Sequence, residues 1–289
     1  MTEAASPSSL YRMRPMSHHV EANGLRLHYL DWGEGPSQNL FLLHGLSDSA
    51  RTWDDFAKEA SAGYRVVAVD LRGHGESGHA TDGYTLDKFA ADVLAVARGL
   101  NVRTFHLVGH SLGALVGIHL AATQPRAVTR LALVDGGPGI NVAPARQYLL
   151  PGFSRPMGFA TEDEAKAWLK QTYSAEPEEV ALRRFQYDMQ KNWAGRWVLR
   201  QDPELWWFIG DEEGFRKRTD ELWALLPQVQ CPTLFLHGRQ SRVASEEAAQ
   251  RIVAALPKGR LVDIPGARHN IHSDQPALFK EALLGFLGE

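Results

Sequence analysis

The chain has 289 residues, 44% of them apolar and 22% charged, with a formal net charge of −3. That is ordinary globular composition, long enough for one large α/β domain carrying an insertion or for two domains. It excludes a basic field for nucleic acid. With Cys231 as the single cysteine it excludes an internal disulfide or a cysteine zinc cluster, and no run approaches the roughly 18 apolar residues of a membrane span.

Residues 1–17 are rich in Ser, Pro, Arg and Met and lack an apolar stretch, so they read as a disordered leader rather than a signal peptide. Strand-like runs His19–Glu21 and Leu25–Leu30 flank Asn23-Gly24, a hairpin signal. Leu40–Leu43 is a short all-apolar strand that runs into His44-Gly45-Leu46-Ser47, and a helix is predicted over Arg51–Ala60. A second buried strand, Tyr64–Val69, ends in Asp70-Leu71-Arg72-Gly73-His74-Gly75-Glu76-Ser77. Leu86–Leu100 carries apolar residues at helical spacing. Thr104–Val108 and Val128–Val134 are further strands, the second ending in Asp135-Gly136-Gly137-Pro138. From about Gly139 to Pro227 the rhythm stops, and helical patterns mixed with Arg-rich stretches hold six of the eight tryptophans. It resumes with strand Thr233–Leu236, helix Ser245–Leu256, strand Arg260–Ile264 and helix Pro276–Phe286.

Strands alternating with helices imply an α/β, mostly parallel, doubly wound sheet, here with an antiparallel N-terminal hairpin at one edge. The stretch 139–227 is expected to form a helical cap over the C-terminal edge of a core built from 18–138 and 228–289, the edge where such sheets bind ligands.

Gly109-His110-Ser111-Leu112-Gly113 lies between the strand Thr104–Val108 and a helix-compatible run, Ala114–Ala122. Strand, sharp turn and helix are the context in which G-x-S-x-G presents a nucleophile. The turn forces Ser111 to positive φ, and the flanking glycines remove Cβ atoms where strand and helix pass closely. The helix N-terminus offers backbone N–H groups to a developing negative charge.

His44-Gly45, Asp70-x-Arg72-Gly73-x-Gly75-x-Ser77, Gly109-x-Ser111-x-Gly113 and Gly266-x-x-His269 follow one another in this order. As a set they resemble the α/β-hydrolase fold superfamily, over about residues 18–289. That resemblance implies the α/β-hydrolase fold, a serine nucleophile, no cofactor and a histidine late in the chain. His269, in the Gly/Pro-rich loop after the last strand, is the expected base. His272 is the near alternative, with its neighbour Asp274 assigned to capping the following helix. The family's usual acid position after the seventh strand reads Gly238-Arg239-Gln240-Ser241 here, with Ser241 where Asp is common. A serine hydroxyl cannot supply the full charge that stabilises an imidazolium. The other family position is the end of the sixth strand, which gives a triad of Ser111, Asp135 and His269. The competing reading is that Asp135 only orders its turn.

An oxyanion hole needs two backbone donors, and Leu46 N–H and Leu112 N–H are expected to supply them. His44 and His74 read as loop braces. His110 flanks the site, as a brace or as a substrate-binding residue. No histidine spacing or His/Asp cluster suggests a metal. In the insertion most tryptophans read as packing, and the arginines at 146, 155, 183, 184, 196 and 200 mostly as solvated helix faces. Arg196 and Trp197 are the first candidates for substrate contacts.

An acid after strand six together with Gly-x-x-Ser-Arg-Val after strand seven is similar to the bacterial E-2-(acetamidomethylene)succinate hydrolases, which cleave an enamide bearing carboxylates. The functional expectation is a carboxylesterase- or amidase-like serine hydrolase acting on a small molecule through an acyl-enzyme. It acts with no nucleic-acid or membrane partner, as a monomer or homodimer, and the lone cysteine fits the reducing cytoplasm. Cofactor-free haloperoxidase or C–C bond hydrolase chemistry on the same triad is the alternative. A non-catalytic small-molecule receptor is the alternative of another class.

Overall fold

The computed structural model describes residues 14–33, 38–139, 156–174, 176, 178–206 and 211–289. Ten strands occur among them. β1 (Met16–Ala22) and β2 (Leu25–Asp31) form the opening hairpin. β3 (Asn39–Leu43), β4 (Arg65–Val69), β5 (Phe105–His110) and β6 (Val128–Val134) follow. β7 (Met189–Lys191) and β8 (Trp197–Leu199) make a separate small hairpin. β9 (Thr233–Gly238) and β10 (Gly259–Ile264) complete the main sheet. Its order is β1-β2-β4-β3-β5-β6-β9-β10. The β1–β2 and β2–β4 pairs are antiparallel and the rest parallel. Asn23 and Gly24 both take positive φ, 53° and 74°, as the tight hairpin turn requires. The first strand starts at Met16, inside the stretch 1–17 that was expected to form a leader; residues 1–13 lie outside the described residues.

The alternation of side chains along each strand divides the core into two faces. Phe41, Leu43, Val67, Val69, Leu107 and Leu131 pack beneath α2 (Leu86–Gly99) and α3 (Leu112–Thr123). Leu40, Leu42, Val66, Ala68, Val108 and Val134 pack on the other face, under α1 (Asp54–Ala60) and the C-terminal helix Pro276–Leu287. The helix expected over Arg51–Ala60 is a 3-10 turn, Ala50–Trp53, that leads into α1. No helix of the described residues is long and apolar enough to cross a membrane.

The insertion joins β6 to β9. α4 (Glu162–Thr172) starts with a capping box between Thr161 and Glu164. α4 and α5 (Glu178–Asp188) enclose a small core of Phe159, Ala165, Leu169, Ala181, Phe185 and Met189. This part crosses the loops that leave the C-terminal ends of β3, β4 and β10. Arg184 donates to Ser47 O, Asp202 N to Gly73 O, and Asn270 Nδ2 to Glu176 Oε1. α6 (Glu212–Leu225) behaves differently: its Leu222, with Leu226 and Val229 after it, belongs to the core face of α2 and α3. α7 (Glu246–Ala255) and the short α8 (Ile271–Asp274) lead to α9 (Pro276–Leu287).

Candidate active site

Ser111 stands between β5 and α3 with φ 50° and ψ −111°. Strain of this kind persists only where the surroundings over-determine it. Here a Cβ on Gly109 would overlap the Gly113 carbonyl, and one on Gly113 would overlap Leu43 O. Ser111 N donates to Val134 O at 3.1 Å, which ties the corner to the end of β6, one residue before Asp135.

Asp135 also has positive φ, 46°, and is fully buried. A buried carboxylate is tolerable only with donors around it, and this one has three. His269 Nδ1 lies 2.7 Å from Oδ2, Ser241 Oγ donates to the same oxygen at 2.5 Å, and Gly238 N donates to Oδ1 at 3.1 Å. The Ser241 oxygen itself accepts from Val243 N and Ala244 N, so its own hydrogen is directed at Asp135. The residue that occupies the family's usual acid position is thus a donor to the acid on the neighbouring strand.

His269 is buried, and burial lowers its pKa against the opposing hydrogen bond from Asp135. The imidazole is therefore neutral at pH 7, the form a general base needs. Its ring packs on His110, centroids 4.7 Å apart, and His110 Nε2 donates to the His269 carbonyl at 3.1 Å. His110 is 1% exposed, a brace between the elbow and the histidine loop. His272 bonds Thr52 Oγ1 at 3.2 Å, and burial together with His110 lowers it to about 3. The sequence assigned Asp274 to capping the last helix, but the N-cap there is Gln275 with no side-chain cap bond. Asp274 accepts from Arg268 N at 2.7 Å and so shapes the loop that carries His269.

Two amides are aimed by the carbonyls of their own peptide units. Gly45 O accepts from His44 Nδ1 at 2.7 Å and from Asp48 N at 3.2 Å. Because the peptide is planar and trans, this fixes Leu46 N–H in the opposite direction. Ser111 O accepts from Ala114 N and Leu115 N, which points Leu112 N–H out of the helix N-terminus. Neither amide has a partner among the described residues. Gly113 N donates to His44 O at 3.1 Å, joining the loop of one to the helix of the other. His44 takes its second bond from Leu71 N at 3.0 Å, and His74 Nε2 meets Leu46 O at 2.7 Å. Burial, and then His44, lowers His74 to about 4, so it is a neutral brace.

A family profile described as alpha/beta hydrolase fold matches residues 38–276. The chain belongs to the α/β-hydrolase family. It is 30% identical to a bifunctional esterase/perhydrolase of Acinetobacter calcoaceticus, over 94% of this chain and 99% of that one. It is 38% identical to an N-formylmaleamate deformylase of Pseudomonas putida, over 44% of this chain and 48% of that one. In structure it resembles an E-2-(acetamidomethylene)succinate hydrolase, with a TM-score of 0.84 at 24% identity, over 95% of this chain and 100% of that one. The last likeness is one of fold.

Within this α/β-hydrolase, the arginine of the insertion that is buried against the core loops is Arg184, not Arg196. Sequence reasoning grouped Arg184 with solvated helix faces. It is instead 7% exposed and lies 2.6 Å from Asp48 Oδ1, with Glu176 and Asp188 each 3.8 Å away and Tyr173 under its guanidinium. Arg184, Phe185 and Ala181 are buried together on one side of α5, a spacing that was available to detect it. Burial would raise Asp48, but Arg184 and then His110 hold it well below the carboxylate range. Burial wins for Asp188, raised to about 7, and it raises Glu176. Arg196 is exposed on the β7–β8 turn and donates to Gly158 O, while Trp197 packs on Phe185. Neither has a contact with Ser111, Asp135 or His269 among the described residues. Arg146, Arg155 and Trp207 lie outside those residues.

Proposed function

We propose that this hydrolase cleaves a small carboxylic ester or amide through an acyl-enzyme on Ser111. The observation that carries the reading is the 2.7 Å contact between His269 Nδ1 and Asp135 Oδ2, made beside the strained serine corner. His269 takes the Ser111 hydroxyl proton as Oγ attacks the substrate carbonyl. The tetrahedral oxyanion is met by Leu46 N–H and Leu112 N–H, both fixed before substrate arrives. Collapse expels the alcohol or amine, which leaves with the proton held by His269. Water then gives a proton to His269, attacks the acyl carbon and releases the carboxylic acid. Asp135 carries the negative charge that steadies the imidazolium in both halves, and Ser241 and Gly238 hold Asp135.

A second reading follows from the relative named as an esterase and perhydrolase. Hydrogen peroxide in place of water in the second half-reaction would give a peroxy acid on the same residues. Turnover of p-nitrophenyl acetate and of matched lactones and amides, against Ser111→Ala, tests the first reading, and added peroxide tests the second. Turnover lost in the variant supports the acyl-enzyme. Turnover of none of these substrates above the variant overturns it and leaves the receptor reading.

A further inference from the structure

The edge of the sheet formed by β1 and β2 carries a second cluster of groups with chemistry. β1 and β2 pair so that His19 stands directly across from His28, ring centroids 4.9 Å apart. Glu76, from the turn after β4, joins them. One ligand atom from each residue lies within 4.8 Å of the others. Strands β4 and β3 separate β2 from β5, so this cluster is not part of the Ser111 site.

His28 is 2% exposed and its orientation is set from behind. Its Nδ1 lies 2.7 Å from Asp70 Oδ2. Asp70 also accepts from Ala50 N at 2.6 Å and Glu76 N at 2.9 Å. With Nδ1 turned to the Asp70 carboxylate, Nε2 is the ring nitrogen left for a ligand. It faces Ser17 Oγ at 2.8 Å. A histidine backed by a carboxylate on its far nitrogen is the arrangement metal-ligating histidines use. His19 is the partly exposed member of the pair across the hairpin. Its Nδ1 is met by the Arg26 guanidinium at 3.1 Å, from an exposed side chain that can leave.

We infer that His19, His28 and Glu76 bind a divalent transition-metal ion, with Zn²⁺ the best match. Two imidazoles and one carboxylate, with water as fourth ligand, suit zinc, whereas Mg²⁺ and Ca²⁺ need more oxygen ligands. Tetrahedral bonds of about 2.0–2.1 Å bring ligand atoms to roughly 3.4 Å from one another. The exposed Glu76 and the partly exposed His19 supply that closing movement, and the ion displaces the Ser17 hydroxyl and Arg26. The sequence concealed the set because its members come from residues 19, 28 and 76, joined by hairpin register rather than by spacing.

Calorimetric titration of tag-free, metal-free protein with ZnCl₂, with CoCl₂ as a visible-absorption probe, tests the site. One ion per chain is expected, with a tetrahedral Co²⁺ band. His19→Ala and Glu76→Gln should each weaken binding by about tenfold or more, and Arg26→Ala should tighten it by removing the competing cation. Absence of binding to the wild type, or binding that His19→Ala leaves unchanged, overturns the inference.

Discussion

Asp135 and Arg184 each anchor a buried polar cluster against the loop that carries His269, and the charge balance of the two differs. Asp135 is one carboxylate surrounded by three donors. Arg184 is one guanidinium shared by Asp48, Glu176 and Asp188. The first cluster gives its one acid a donor on every side that the fold presents. The second cannot hold three anions against one cation, and the excess appears as a proton retained on Asp188 up to about pH 7. One cluster therefore fixes the carboxylate beside His269 by its donors, and the other ties the insertion to the core with a charge that depends on pH.

The comparison is sharpest in activity. Ser111→Ala and His269→Ala are each expected to lower kcat/KM by about 10⁵- to 10⁶-fold, and Asp135→Asn by about 10⁴-fold. Asp188→Asn should cost less than about tenfold, because the proton it mimics is already there. Ester kinetics on folded variants check this, and comparable losses at residues 135 and 188 would break the distinction. Stability should show the reverse emphasis. Arg184→Met leaves buried acids without their cation and should cost about 3–5 kcal/mol in urea unfolding at pH 8.

Ser241→Ala removes one donor from the buried Asp135 carboxyl group and should lower kcat by about 10- to 100-fold with KM little changed. A stability loss with kcat intact would make Ser241 merely structural. The smallest effects concern pH. The folded chain holds a proton on Asp188 that the unfolded chain releases near 3.8. Its stabilising share is thus complete below 3.8 and is lost as pH rises towards about 7. Asp188→Asn should flatten that fall in urea midpoints. His269 has the opposite sense: its pKa lies below the ordinary 6.5, so the acid limb of kcat/KM should have its midpoint below 6.5.

The motifs made the catalytic corner legible because its chemistry needs particular residues at particular strand ends. Gly109, Ser111 and Gly113 announced the elbow, and β5, β6 and β9 each end within two residues of their apolar runs, whereas β1 begins three residues before its run. Asp135 was reachable only through the family's alternative acid position, and nothing in the sequence showed that Ser241 would serve it as a donor. The spacing of Arg184 with Ala181 and Phe185 put it on the buried side of its helix, but nothing in the sequence named the acid it meets, Asp48, 136 residues away. The His19–His28 pair depended on hairpin register in the same way.

Labelling with a fluorophosphonate, followed by intact mass and peptide mapping, tests the central claim most directly. The account predicts a single adduct on Ser111 that forms quickly in the wild type and far more slowly in Asp135→Asn and His269→Ala. An adduct on another residue, or labelling of Ser111 at an unchanged rate in both variants, would contradict it.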